Sequence, residues 1–204
     1  MSEAIGLRER KKRERRRHIE DVAIELFRRD GFEATTIEQI AAAADIAPRT
    51  FFSYFATKDD VVLADYTDRL ERILAELEHR PDHEPAWVAL SASFAAVASD
   101  YTAEVERLAS RFAIMATAPS VYARSLQLQA GWEQTLSERL TARLAAPADD
   151  PTPRLLAAAA VAVMRASLQH WLTGERTVPL PALVEHAFER LGNGLGQDPP
   201  PSGR

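Results

Sequence analysis

Between Arg8 and Arg17 the chain reads RERKKRERRR, eight basic residues against two acidic ones. Arg10, Lys11, Lys12 and Arg13 form the centre of this run. Cations gathered so densely point to a polyanionic partner; the plainer alternative is the solvated end of a charged helix. A second set of hydrogen-bonding side chains follows: Thr36, Arg49, Thr50, Ser53, Tyr54 and Lys58. Arg49 has the fork geometry for a bidentate bond to a guanine edge. The hydroxyls of Thr50 and Tyr54 suit phosphate oxygens, and so does the ammonium of Lys58.

The overall charge argues the other way until its distribution is considered. The 204 residues carry 25 Lys or Arg and 30 Asp or Glu, a net of −5. Residues 61–204 hold 13 of the bases and 18 of the acids, which accounts for all of it (13 − 18 = −5). An acidic body with one basic arm fits a polyanion contacted at the N-terminal end only.

The chain has no cysteine, which excludes disulfides, thiolate metal sites and a cysteine nucleophile. A reducing cytoplasm is the expected compartment. The basic N-terminus lacks the apolar core of a signal peptide. The longest apolar run, LLAAAAVAVM at 155–164, is about half the length a membrane span needs, so no membrane partner is expected.

Helical periodicity positions these groups. Ile19, Val22, Ala23, Leu26 and Phe27 form one stripe, stopped by Gly31. Ile37, Ile40, Ala41 and Ala44 form a shorter one, capped by Thr35 or Thr36 with Glu38 or Gln39. Thr57 and Asp60 signal another start, from which a single helix of ~22 residues is expected to run to His79. Later stripes are Trp87–Tyr101, Val105–Met115, Tyr122–Leu144, Arg154–Thr173 and Leu183–Leu191. The fold class expected is all-α with nine helices: an N-terminal head (1–57), a helical ligand-binding and dimerisation domain (58–194), and a disordered tail (195–204).

The segment 36–55 places two short helices around Asp45-Ile46-Ala47, the dimensions of a helix-turn-helix. Its second helix must dock through one face and expose the other. Phe51 and Phe55, at i and i+4 with Phe52 beside them, are expected to be the docking face. Each such burial contributes roughly 1.5–3 kcal/mol. The expected receiving surface is Ile19, Val22, Leu26, Phe27 and Ile40.

TTIEQIAAAADIAPRTFFSYFATKDDVV, residues 35–62, resembles the DNA-binding region of TetR-type transcriptional regulators. The matching positions are Thr35-Thr36, Ile40-Ala41, Ala44, Ile46, Thr50, Tyr54-Phe55 and Lys58. Asp45 stands where the family has a turn glycine, and Ala47 where it has a capping serine, a loss of about 1 kcal/mol. The resemblance is sharp over Ile19–Leu63. It implies a homodimer that binds a near-palindromic double-stranded DNA operator and releases it when a small molecule enters the second domain. It implies no cofactor. GLRERKK, PRTFFSYF and the tryptophan of QAGWEQTL are similar to the branch that binds acyl-CoA-like ligands; a hydrophobic drug or aromatic metabolite suits the same residues.

Phe94, Tyr101, Phe112, Met115, Trp132 and Trp171 are pocket candidates, with plain core as the alternative. Arg165 interrupts an apolar helix, so it either pairs with an acid at a dimer interface or faces an acidic ligand group. Arg107, Arg111 and His170 pose the same choice more weakly. The last two helices are expected to form the dimer surface; full burial within one chain is the other reading of 155–164. An enzyme is disfavoured, since no phosphate loop or nucleophile–base pair is visible. His79 and His83 have ligand-like spacing, but no third ligand accompanies them. A DNA-binding dimer governed by a protein partner, without an effector, is the remaining alternative.

Overall fold

The computed structural model describes residues 2–194, and the tail expected beyond them lies outside the described residues. Ten helices occur among these: α1 (Ser2–Asp30), α2 (Ile37–Ala43), α3 (Pro48–Phe51), α4 (Lys58–Val62), α5 (Tyr66–His79), α6 (Ala86–Ala103), α7 (Val105–Thr117), α8 (Pro119–Leu144), α9 (Thr152–Thr173) and α10 (Leu180–Gly192). The chain divides into two compact units, Met1–Tyr66 with Glu106–Gln127, and Thr67–Val105 with Leu128–Arg204.

In the first unit, Ile19, Ala23, Leu26 and Phe27 of α1 are buried and Val22 is half-buried. Gly31 ends the helix at φ +89°, a backbone conformation that costs other residues strain. Thr35 does not cap α2; its hydroxyl donates to Gly31 O at 2.8 Å and braces the end of α1. Thr36 is the cap. Its Oγ1 accepts the Gln39 N–H at 3.2 Å, and Gln39 Oε1 accepts the Thr36 N–H at 2.8 Å. Thr57 and Asp60 form the same reciprocal box at α4.

The expected single helix from Lys58 to His79 is broken, which is why there are ten helices and not nine. α4 stops at Val62, and α5 starts at Tyr66. Two distant arginines explain the break. Arg16 Nη2 donates to Ala64 O at 2.9 Å, and the Arg111 guanidinium pairs with Asp65. The backbone between is left with tighter i→i−3 bonds, Ala64 N to Val61 O at 3.4 Å and Tyr66 N to Leu63 O at 3.1 Å.

The second unit packs α10 against α6 and α9. Phe188 is its centre, 4.6 Å from the ring of Trp87 and 5.8 Å from that of Phe94. The indole of Trp87 donates to Phe188 O at 3.0 Å. α9 is long and apolar enough to cross a membrane, but it buries Ala157, Ala160, Val161, Val163, Met164, Leu168 and Trp171 within this unit. Its other side carries Leu155, 66% exposed, and Arg165 and Ala166, also exposed.

Candidate nucleic-acid interface

The turn between α2 and α3 is a Schellman motif. Ile46 N donates to Ala41 O at 2.9 Å and Asp45 N to Ala42 O at 3.3 Å. Asp45 occupies the left-handed position at φ +53°, where glycine is the unstrained choice. Ala47 precedes α3 with no side-chain cap, and Pro48 begins the helix. α3 has four residues and cannot stand alone. Phe51 and Phe55 hold it: they are 0% and 3% exposed, with ring centroids 5.7 Å apart. The Arg16 guanidinium lies over the Phe55 ring at 5.4 Å.

Phe52 departs from the expectation that all three phenylalanines dock. It is 55% exposed. On a helical turn it lies about 100° around from Phe51, and so short an element can bury only its i, i+4 pair. Phe52 therefore joins Arg49 and Ser53, both exposed, on the outward face. Ser53 Oγ donates to Arg49 O at 3.5 Å. Thr50 and Tyr54 are half-buried at the edges of this face.

Lys58 has an internal role. Its ammonium donates to Phe32 O at 2.7 Å, Thr35 O at 3.3 Å and Glu33 O at 3.4 Å, and sits 4.4 Å above the Phe32 ring. It thereby ties the link between α1 and α2 to the start of α4. Thr36 lines an open depression of about 400 Å³ that also includes Glu33, Glu38 and Asp59. The basic run belongs to α1, as a helical continuation of the docked stripe. Arg10, Lys11, Lys12 and Arg13 are exposed, and Arg10 pairs loosely with Glu14 at 3.7 Å.

Residues expected near a ligand fall in both units. In the first, Arg111 on α7 is buried in an ion network. Its Nη2 is 3.0 Å from Glu20 Oε2, and its other arm pairs with Asp65. Arg107 reaches Glu20 at 3.4 Å and Asp21 at 3.2 Å, and Arg16 reaches Glu20 at 3.5 Å. Burial raises the Glu20 carboxyl above its ordinary pKa, against the pull of Arg111, Arg16 and Arg107. Phe112 and Met115 are half-buried.

In the second unit Phe94, Tyr101, Trp132 and Trp171 are buried. The Arg69 guanidinium covers the Tyr101 ring at 3.5 Å, and the Trp171 indole donates to Val178 O at 3.1 Å. Arg165 is exposed, and its Nη1 donates to Gln129 Oε1 at 3.3 Å. His79 and His83 are exposed, and among the described residues no three or more His, Cys, Asp or Glu are grouped to hold a metal.

The sequence reading missed two residues. Arg16 reads in the sequence as part of the basic arm, although its place one turn before Glu20 signals an inward-facing partner. Phe52 reads by its hydrophobicity as part of the docking face, although the shortness of its helix argues otherwise.

Known proteins share both parts of the chain. Residues 19–64 match the family of bacterial regulatory proteins of the tetR type, and residues 84–196 match the MftR C-terminal domain. MftR of Mycobacterium tuberculosis, named for mycofactocin biosynthesis, is 31% identical over 178 residues, 87% of this chain and 89% of that one. The HTH-type transcriptional regulator TcmR of Streptomyces glaucescens is 37% identical over 173 residues, 81% of this chain and 76% of that one. Among solved structures, the TetR-family repressor FadR of Thermus thermophilus, in complex with lauroyl-CoA, is similar with a TM-score of 0.54. It is 23% identical, over 93% of this chain and 99% of that one, a likeness of fold alone. The helix-turn-helix, with family matches over both the N-terminal and the C-terminal parts, places this chain in the TetR family of DNA-binding transcriptional regulators.

Proposed function

We propose that the protein is a homodimeric repressor that reads a near-palindromic operator and releases it on binding a small hydrophobic effector. The observation that carries the reading is the division of the segment around α3. Phe51 and Phe55 are buried, while Arg49 and Ser53 are exposed on the opposite side. Arg49 reads a base edge, and Thr50, Ser53 and Tyr54 secure the backbone. Thr36 supplies a further phosphate contact, whereas Lys58, whose three N–H bonds go to the carbonyls of Phe32, Glu33 and Thr35, braces the reading segment from behind. The basic end of α1 adds a sequence-independent attraction that salt weakens.

Two heads are needed to meet successive major grooves about 34–36 Å apart. The outward side of α9 is the proposed dimer surface. Leu155 is 66% exposed there, with Ala159 and Ala162 half-buried and Ala166 exposed, so another helix can approach closely. Arg165 shares that side and is assigned to the interface in preference to the effector site. Phe112 and Met115, half-buried on α7, have surface left for an apolar ligand. An acyl-CoA is the first compound to try, since a repressor of this fold binds lauroyl-CoA.

The test is selection of binding sites from random DNA, followed by a salt titration on the enriched sequence. The expected result is a palindrome with a steep salt dependence. Arg49→Ala is expected to relax one base pair of each half-site, at a cost of about 1–3 kcal/mol. Adding lauroyl-CoA is expected to release the DNA. Enrichment of no sequence, or unchanged specificity in Arg49→Ala, would overturn the assignment of α3 as reader.

A further inference from the structure

We infer that Phe52 is a specificity-determining residue, whose ring receives the C5-methyl of one thymine in each half of the operator. The inference rests on the operator-binding function proposed above and deepens it. A lone exposed phenylalanine elsewhere on a protein would need no explanation. Here its position decides. Phe52 is three residues after Arg49 and one before Ser53, and the three share the outward face of the reading segment.

The chemistry of that face leaves the ring one kind of partner. A phenyl group offers no strong hydrogen bond to a phosphate or to the polar edge of a base. Among the groups that base pairs present in the major groove, the thymine methyl is the apolar one. Tyrosine at this place could serve a phosphate; phenylalanine cannot.

The ring is also held in place before DNA arrives. It stands edge-on to Phe51, with centroids 5.7 Å apart and planes at 88°, and Phe51 is fully buried. The backbone beneath it is helical, at φ −65° and ψ −13°. It is pinned on the far side by Ser53 N to Thr50 O at 3.1 Å and Tyr54 N to Phe51 O at 2.9 Å. A ring braced in this way loses little freedom when it meets a base, which favours contact.

The experiment uses the full chain and the site enriched from random DNA. Each thymine is exchanged in turn for deoxyuridine, which removes the methyl and leaves base pairing intact. Wild-type affinity is expected to fall about four-fold at one thymine per half-site, the equivalent of one buried CH₂ group. At that position Phe52→Ala is expected to bind thymine and uracil duplexes equally. Phe52→Leu should keep part of the preference, and Arg49→Ala should keep all of it.

If no exchange weakens the wild type, or if Phe52→Ala retains the full preference, the inference fails while operator binding stands. Failure of the chain to enrich any sequence would instead remove the operator-binding function, and this inference with it. Phe52→Leu keeps the comparison available should the alanine variant fold poorly.

Discussion

Replacing Arg111 with methionine isolates the buried ion network of the first unit. Arg111 and Glu20 are 6% and 9% exposed, and they meet at 3.0 Å. At an effective dielectric constant near 20, that contact alone has a gross attraction of about 5 kcal/mol. Removing one partner of a buried pair costs about 3–5 kcal/mol, because the remaining charge stays uncompensated. Glu20 retains Arg16 at 3.5 Å and Arg107 at 3.4 Å, so Arg111→Met is expected at the low end, near 3 kcal/mol. For a chain of this size that is a fall in Tm of about 6–12 °C.

The pH dependence follows from the sign of the Glu20 shift. Burial raises its pKa above 4.5, so the folded state binds the proton more tightly than the unfolded chain does. Stability from such a group is fully present below the unfolded pKa and is lost as pH rises through the folded one. Arg111→Met removes the strongest opposing charge and raises the folded value further. The loss is therefore expected to be largest at pH 7 and above, and to shrink as pH falls towards 4.5. Urea denaturation at pH 7.5, 6 and 5 measures it. A loss below about 1 kcal/mol at pH 7.5, or one that does not change with pH, would refute the reasoning.

Ala47→Ser restores a cap to α3 and is expected to add about 1 kcal/mol of stability, read as a higher urea midpoint. Asp45→Gly relieves the left-handed strain at φ +53° and should also raise that midpoint, whereas Asp45→Val should lower it. In the second unit, a Cβ at Gly192 would lie 2.9 Å from Trp87 Nε1, in the path of the indole bond to Phe188 O. Gly192→Ala is expected to cost about 1–3 kcal/mol, with a changed tryptophan emission spectrum as its signature.

What the sequence conveyed was local. Thr36 with Gln39, Thr57 with Asp60, and Gly31 announce their roles within four residues, and the structure uses each of them. The i, i+4 pair Phe51 and Phe55 is equally local. What it concealed depends on long-range partners. Arg16 meets Ala64 across 48 positions, and Arg111 meets Glu20 across 91, so periodicity could reveal neither the broken helix nor the ion network. Phe52 was hidden for a different reason. Hydrophobicity says that a phenylalanine prefers burial, but it does not count how many a two-turn segment can shelter.

The shortness of α3 has a consequence for how its outward face is lost. With four helical residues and no side-chain cap, the segment has no local folding equilibrium to draw on. Its order comes from Phe51 and Phe55, which are anchored in the buried interior of the unit. The amides of Tyr54 and Phe55, bonded to Phe51 O at 2.9 and 3.0 Å, are therefore expected to exchange with solvent when the unit opens and not by fraying. On warming, the order of this outward face is expected to end in the same cooperative step that unfolds the first unit.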